Sequence, residues 1–192
     1  NPILRSLDTI ETRDAVLAED GTPAAWPCAD VIVSNPPFLG NKRMIGVMGE
    51  DYSDRLRTAY EGRVPGGVDL VCYWFDRARE AIAQKRTERV GLVGTQSIRN
   101  GASRDVLDAI ARNATIFEAW SDEPWAVEGA AVRVSLVCFA SEATVPYLLN
   151  GNEVARINAD LTRATADLTT AQRLVECQDV CFQGTIKVGP FD

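Results

Sequence analysis

The sequence predicts an α/β fold, a partly parallel sheet with helices packed on it, and three observations carry that reading. Val31-Ile32-Val33 and Arg89-Val90-Gly91-Leu92-Val93-Gly94-Thr95 are short runs rich in β-branched residues, the composition of parallel strands buried on both faces. Between them Val71, Cys72, Phe75, Ala78 and Ile82 recur at helical spacing. The first strand ends on Pro36-Pro37, at the carboxyl edge where open α/β sheets bind their ligands. With 192 residues the chain suits one domain with a sizeable core.

In order, the chain shows little helix or strand before Thr9, and its start on Asn1 reads as a fragment of a longer protein. Thr9 to Leu17 resembles a strand ending at Asp14; Gly21-Thr22-Pro23 marks a loop and Trp26 a packing lid. The Val31–Val33 strand must stop at its prolines, because neither can donate to a ladder and each fixes its own φ. After Phe38 a stretch rich in Gly, Lys, Arg and Met runs to Gly49 without periodicity and predicts a mobile loop next to the site. Asp51 to Glu61 reads as a short helix, broken by Arg63-Val64-Pro65-Gly66-Gly67. The periodic helix then starts at Val68, with Asp69 in its first turn, where the dipole favours a negative charge.

The Arg89–Thr95 strand ends at Gln96-Ser97, again on the carboxyl edge, and Ser103 can cap a helix that buries Val106, Leu107 and Ile110 and stops near Asn113. Thr115 to Trp120 is a further strand. A loop, Ser121-Asp122-Glu123-Pro124-Trp125, leads through Gly129 into a strand over Ala131–Ala140 whose Val132, Val134, Leu136 and Cys138 alternate inward. Tyr147 to Asn152 looks like a hairpin with an Asn-Gly turn. Beyond Ile157 the chain is polar, with a short helix over Thr169–Glu176 and a last extended segment from Phe182 to Phe191.

The turn Asn35-Pro36-Pro37-Phe38 carries the chemistry. Asn35 offers an accepting carbonyl and a donating amide, the prolines leave backbone carbonyls without neighbouring amides, and Phe38 adds a flat apolar face. A planar group bearing an amine could donate both hydrogens here while its ring stacks on Phe38, which is how an enzyme can hold a base that has left its duplex. The alternative is a polar strand-to-loop turn with a core phenylalanine.

Asn35-Pro36-Pro37-Phe38 resembles motif IV of the amino-group DNA methyltransferases. The longer run from Trp26-Pro27-Cys28-Ala29-Asp30 to Phe38-Leu39-Gly40-Asn41-Lys42-Arg43 resembles the large restriction–modification adenine methylases of the MmeI-like kind. So do Arg63 to Phe75, Thr95-Gln96-Ser97-Ile98-Arg99, Gly129 to Ser135 and Ile157 to Thr162. The resemblance implies a Rossmann-like class I fold that uses S-adenosylmethionine, with strand order 3-2-1-4-5-7-6, acting on adenine in double-stranded DNA through a separate recognition domain. It implies that Asn35, Pro36, Pro37 and Phe38 are catalytic, that Asp14 (motif III) and Asp69 (motif V) lie at the cofactor, and that Trp125 (motif VIII) stacks with Phe38 on the target base. For Asp14 and Trp125 the alternatives are a surface aspartate and a loop tryptophan closing the core; for Asp69, a carboxylate matching a helix dipole.

The family binds its cofactor largely through a glycine-rich loop after strand 1 (motif I) and an acidic residue after strand 2 (motif II). No Asp/Phe-x-Gly-x-Gly run precedes Asp14, so the expected fold is a partial sheet with strands 1 and 2 absent. The edge of the motif IV strand would then be covered by the N-terminal segment, by a second copy of the chain in a homodimer, or by strand 3 moving into the gap. Residues 1–145 read as the C-terminal part of the catalytic domain, and 146–192 as an extension leading toward the recognition domain. On its own such a fragment is expected to be inactive and to bind S-adenosylmethionine weakly or not at all.

Composition narrows the chemistry further. The chain has no histidine, which removes histidine-based triads and most transition-metal sites, and no metal is expected. Five scattered cysteines read as reduced thiols of a cytosolic protein, and no apolar run suits a membrane span. The net charge of −7 fits DNA poorly unless basic surface lies elsewhere or is local. Lys42 and Arg43, with Arg55, Arg57 and Arg63 beyond them, form such a local cluster just after the motif; the alternative is a solvated face. A protein-glutamine methyltransferase would share the Asn-Pro-Pro turn, since an amide is also a planar amine. A non-catalytic module docking through the open sheet edge is the third reading.

Overall fold

The computed structural model describes residues 10–127, 130–142 and 146–163. The segment before Ile10, the strand-linking Gly129, the expected helix over Thr169–Glu176, the extended segment from Phe182 and Cys177 and Cys181 lie outside the described residues.

The described chain builds one mixed sheet of β1 (Val31–Ser34), β2 (Arg89–Thr95), β3 (Thr115–Val127), β4 (Ala130–Ala140), β5 (Tyr147–Leu149) and β6 (Asn152–Val154), in the order β1-β2-β4-β3-β5-β6. β1 and β2 are parallel, and β4 inserts antiparallel between β2 and β3. That is the 4-5-7-6 half of the strand order that the resemblance implies. The β5–β6 hairpin turns on Asn150 and Gly151, both at positive φ (51° and 73°), the geometry an Asn-Gly pair adopts most easily. It joins the sheet beside β3, so Leu149 and the following Ile157, Ala159 and Leu161 enter the same core.

Four helices accompany the sheet: α1 (Asn41–Met48), α2 (Glu50–Ala59), α3 (Val71–Ala83) and α4 (Arg104–Asn113). α3 forms where the period of 3.6 predicts it, burying Val71, Cys72, Phe75, Ala78 and Ile82 against Val90, Leu92, Val137 and Phe139 of the sheet. α4 buries Val106, Leu107 and Ile110 as expected, but the Ser103 side chain caps nothing; it reaches the Cys72 thiol instead.

Several expectations need correction. Val31–Val33 is not a buried strand: β1 is paired on one side only, and Val31 and Val33 are 54% and 80% exposed. Its β-branched composition suits a strand with two neighbours, and among the described residues it has one. Strand 3 has not moved into the gap. Of the strand expected from Thr9, the described residues 10–14 form none, since the Asp14 carboxylate turns back to accept the amides of Val16 and Leu17, both at 2.8 Å, and this local turn competes with an extended ladder. Only an isolated bridge, Leu17 to Pro23, forms there. The stretch after Phe38 is helical, not a loop: α1 is held by the buried Met44 and by packing on α2, and one buried residue in eight leaves no period to read.

Two further corrections concern β3 and β4. Ser121–Trp125 is not a loop, because β3 continues through it to Val127 across an irregularity between Trp120 and Glu123. Pro124 is tolerated because β5 pairs with β3 only at Glu118 and Ala119, leaving the far end of β3 without a neighbour on that side. In β4 the fully buried positions are Val134, Ser135, Val137, Phe139 and Ala140, whereas Leu136 and Cys138, expected inside, are half-buried. The face they share with Val31 and Val33 has no helix of the described chain packed on it.

The irregular segment 10–30 is tied down through side chains. Tyr60 is fully buried, donates its hydroxyl to the Val16 carbonyl at 2.7 Å and meets Tyr73 edge-on at 5.0 Å. Trp26 is half-buried: its indole donates to the Ala15 carbonyl at 2.6 Å and the Arg77 guanidinium lies over its ring.

Candidate functional site

The parallel pair β1–β2 puts both strand ends on one edge. Ser34 pairs with Leu92, so β2 runs three residues further, to Thr95, while the β1 chain has already turned into Asn35-Pro36-Pro37-Phe38. Within this turn the prolines divide the work. Pro36 is buried and anchors the chain; Asn35 and Pro37 are exposed; Phe38 is half-buried, with its inner side against the core. Asn35 makes no hydrogen bond within the described residues, so its carbonyl and amide are uncommitted at the carboxyl edge.

Two carboxylates expected at a cofactor are already engaged. Asp14 is exposed, and besides the two amides it accepts the Tyr52 hydroxyl at 2.7 Å. Burial, and then Asp14, push the Tyr52 phenol well above its ordinary pKa. Asp69 stands two residues before α3 rather than inside its first turn, and accepts the Val71 amide at 3.1 Å. Burial raises its pKa above the usual carboxylate range, against the opposing pull of the Val71 and Leu39 amides and the Thr95 hydroxyl. Sequence reasoning missed Leu39 and Thr95; the one available signal was the place of Thr95 at the carboxyl end of a strand.

Trp125 lies on a two-stranded arm. Thr95 pairs with Val134, and beyond that point β3 and β4 continue together without β2, bringing Trp125 opposite Val132, about 7 Å past the last β2 pairing. Trp125 is 36% exposed and overhangs the same edge as the motif. Yet β3 is three strand positions from β1, roughly 14 Å across the sheet, and the two rings are not in contact.

Of the basic cluster, Lys42 and Arg43 are exposed on the first turn of α1 and make no ion pair within the described residues. The other three serve the fold. Arg55 donates to the Glu19 carbonyl at 3.1 Å, and Arg57 pairs with Asp54 at 2.7 Å and donates to Asn41 at 2.9 Å. Arg63 joins Asp76 and Glu80, each at 2.5 Å, in a cluster completed by Arg77 and Arg79. Asp76 is 1% exposed, so Arg63 is committed to a partly buried charge cluster centred on that carboxylate.

A groove of about 330 Å³ runs along the open edge of β1, lined by Trp26, Pro27, Val31, Val33, Ser34 and Trp74. It ends at the residue before Asn35. No group of three or more Cys, Asp or Glu side chains among the described residues could hold a metal ion, and no helix there is long and apolar enough to cross a membrane.

Comparison with known proteins agrees with this geometry. The family model of the MmeI DNA-methyltransferase domain matches residues 9–150. Among solved structures, the chain is similar to the Type IIL restriction-modification enzyme MmeI in complex with DNA, with a TM-score of 0.57 and 22% identity. The match covers 70% of this chain and 20% of that one, so the chain spans about a fifth of the length of that enzyme; at this identity the likeness is one of fold. No curated protein matches the chain.

Proposed function

The chain belongs to the family of MmeI DNA-methyltransferase domains, and from that premise we propose that the enzyme containing it methylates the exocyclic amine of adenine in DNA, with S-adenosylmethionine as donor. The observation that supports this most is Asn35, an exposed and uncommitted amide at the carboxyl end of β1, between a strand and a buried proline. Adenine's amine is a poor nucleophile because its lone pair is delocalised into the ring. Acceptors at the Asn35 side chain and the Pro36 carbonyl would draw its hydrogens out of plane and favour a tetrahedral nitrogen. Phe38 holds the ring, and Trp125 reaches it if the arm bends over a bound base. Catalysis is then chiefly positioning of the amine in line with the donor methyl, and it needs no histidine base.

In this reading Asp14 and Asp69 are the carboxylates nearest the cofactor, and Lys42 and Arg43 contact DNA phosphates beside the flipped base. Most of the DNA surface belongs to a recognition domain beyond this chain, which reconciles the net charge of −7 with a DNA substrate. Residues 1–145 form part of the catalytic domain and 146–192 lead toward that recognition domain. The open β1 edge is where the remainder of the sheet, or a second copy of the chain, completes the fold. Alone, this fragment is inactive and binds the cofactor weakly. As one part of a restriction–modification enzyme, the protein acts in the cytoplasm.

The test is methyl transfer from labelled S-adenosylmethionine, catalysed by the full-length protein, with duplex DNA and a glutamine peptide as competing acceptors. Label in the DNA supports the reading. Label in the peptide alone replaces it with glutamine methylation, and label in neither leaves a non-catalytic module.

A further inference from the structure

A short 3₁₀ turn over Gln96–Arg99 follows β2 directly and packs against α4, β3 and β4. Its Ile98 is fully buried and fixes the turn to the core. Arg99, the last residue of the turn, is half-buried, and its Nε is closed off from solvent with no acceptor. Its side chain makes no hydrogen bond or ion pair within the described residues, and only Nε is closed off, so the outer nitrogens remain accessible. A carboxylate within its field is already taken. Asp122 pairs with Arg133, which also donates to the Asp122 carbonyl at 2.7 Å; hydrogen bonding from Arg133 is the main cause that lowers the Asp122 carboxyl, and Arg99 acts on it only as a more distant charge.

Other arginines of the fold are placed differently. Arg57, Arg63, Arg77, Arg79 and Arg133 stand in ion pairs, and Arg43 and Arg112 are exposed, where water serves them. Arg99 alone among these is drawn in along its stem without an internal partner, and a buried donor left unpaired calls for an ion or ligand. Its place suits one. β2 is the immediate neighbour of β1, so the turn carrying Arg99 follows a strand about 5 Å across the sheet from the motif strand, on the side away from the open β1 edge. In the strand order that the family implies, the cofactor strands lie beyond that open edge, so an anion that reaches Arg99 comes from the DNA.

We propose that Arg99 binds a DNA backbone phosphate beside the extruded base, from the β4 side of the motif turn. The inference rests on the DNA-methyltransferase reading above and adds to it a contact outside the Lys42 and Arg43 pair. A guanidinium presents a planar fork of donors that matches two phosphate oxygens, and a stem fixed by packing has little freedom left to lose on binding. Such a contact carries no sequence information; it sets where the backbone stands while the base is held.

The test couples one side chain to one phosphate in the full-length protein. Arg99→Met keeps the apolar stem and removes the charge, whereas Arg99→Lys keeps the charge and loses the fork. Arg99→Met should bind a duplex carrying the methylation site on the order of tenfold more weakly. The slope of log affinity against log salt should fall by about 0.9, the share of one phosphate contact, and Arg99→Lys should recover it. Affinity for S-adenosylmethionine should not change. A neutral methylphosphonate placed singly at each phosphate around the target adenine should weaken wild-type binding on the order of tenfold at one position, and weaken Arg99→Met no further there.

Weaker DNA binding with an unchanged salt slope and no coupling to any phosphate would make Arg99 a support of the arm and overturn the proposal, as would wild-type DNA affinity in Arg99→Met. Weaker S-adenosylmethionine binding with DNA affinity intact would assign its anion to the cofactor carboxylate, with the same consequence. Should Arg99→Met not fold, Arg99→Lys decides: its methylphosphonate penalty should shrink at that one position, and penalties equal to wild type at every position overturn the contact. A wild-type protein that neither binds nor methylates DNA sinks the functional reading itself, whereas methylation with an Arg99 indifferent to every phosphate sinks this inference alone.

Discussion

Replacing Asn35 by alanine removes a side chain that the fold does not use. It is exposed, makes no hydrogen bond within the described residues, and lies outside the hydrophobic core, while its neighbour Pro36 keeps the turn anchored. A surface change of that kind alters stability by no more than about 0.5 kcal/mol. The chemical loss is of another order. In the proposed function Asn35 supplies a preorganised acceptor for a group whose charge and geometry change in the transition state, and deleting one such partner costs on the order of 10² to 10³ in turnover, roughly 3–4 kcal/mol. Urea unfolding of wild-type and Asn35→Ala chains measures the first term; single-turnover methyl transfer in the full-length protein measures the second. A destabilisation well above 1 kcal/mol would show that Asn35 is structural. Turnover within threefold of wild type would show that its amide does not grip the substrate.

Other outcomes follow from the same structure. Tyr60→Phe strands the Val16 carbonyl, which the hydroxyl meets at 2.7 Å in a fully buried site, and should lower unfolding free energy by about 1–3 kcal/mol in the same urea assay. Among the described cysteines, Cys28 is exposed and should react first with a thiol reagent; Cys72, buried and with its thiol pushed up to about 12, should stay unmodified until the chain unfolds, as peptide mapping will show. Burial raises the Asp69 carboxyl in the folded state, so the folded chain binds that proton more tightly than the unfolded one. Its contribution is therefore most favourable below the usual carboxylate range and is lost as pH rises through the raised value, so the wild-type minus Asp69→Asn difference in unfolding free energy should change with pH in that direction.

What could be read from the sequence is what period and punctuation carry. α3 announces itself through Val71, Cys72, Phe75, Ala78 and Ile82, the β5–β6 hairpin through Asn150-Gly151, and the motif turn through its two prolines. The failures have physical causes. α1 buries Met44 alone and includes Gly46, so its pattern looks like a loop; only packing on α2 makes it a helix. Pro124 and the acidic pair Asp122-Glu123 look like the end of a strand, but an unpaired flank and a β-irregularity let β3 run on. Val33 has a core composition and an exposed position because a strand's burial depends on neighbours that its own residues do not encode. The partners of Arg63 could not be foreseen either, since Asp76 and Glu80 meet it through the fold. At the site, residue types were legible and their commitments were not: Asn35 is exposed with no hydrogen bond within the described residues, whereas Asp14 and Asp69 accept amides of their own chain.

The most direct measurement is nucleoside analysis of duplex DNA after incubation with the full-length protein and S-adenosylmethionine. A turn that grips an amino group predicts the methyl on the exocyclic nitrogen of adenine, with Asn35→Ala forming that product on the order of 10²- to 10³-fold more slowly. A methyl on a ring carbon of cytosine, or the same N6-methyladenine yield from the variant, would contradict it.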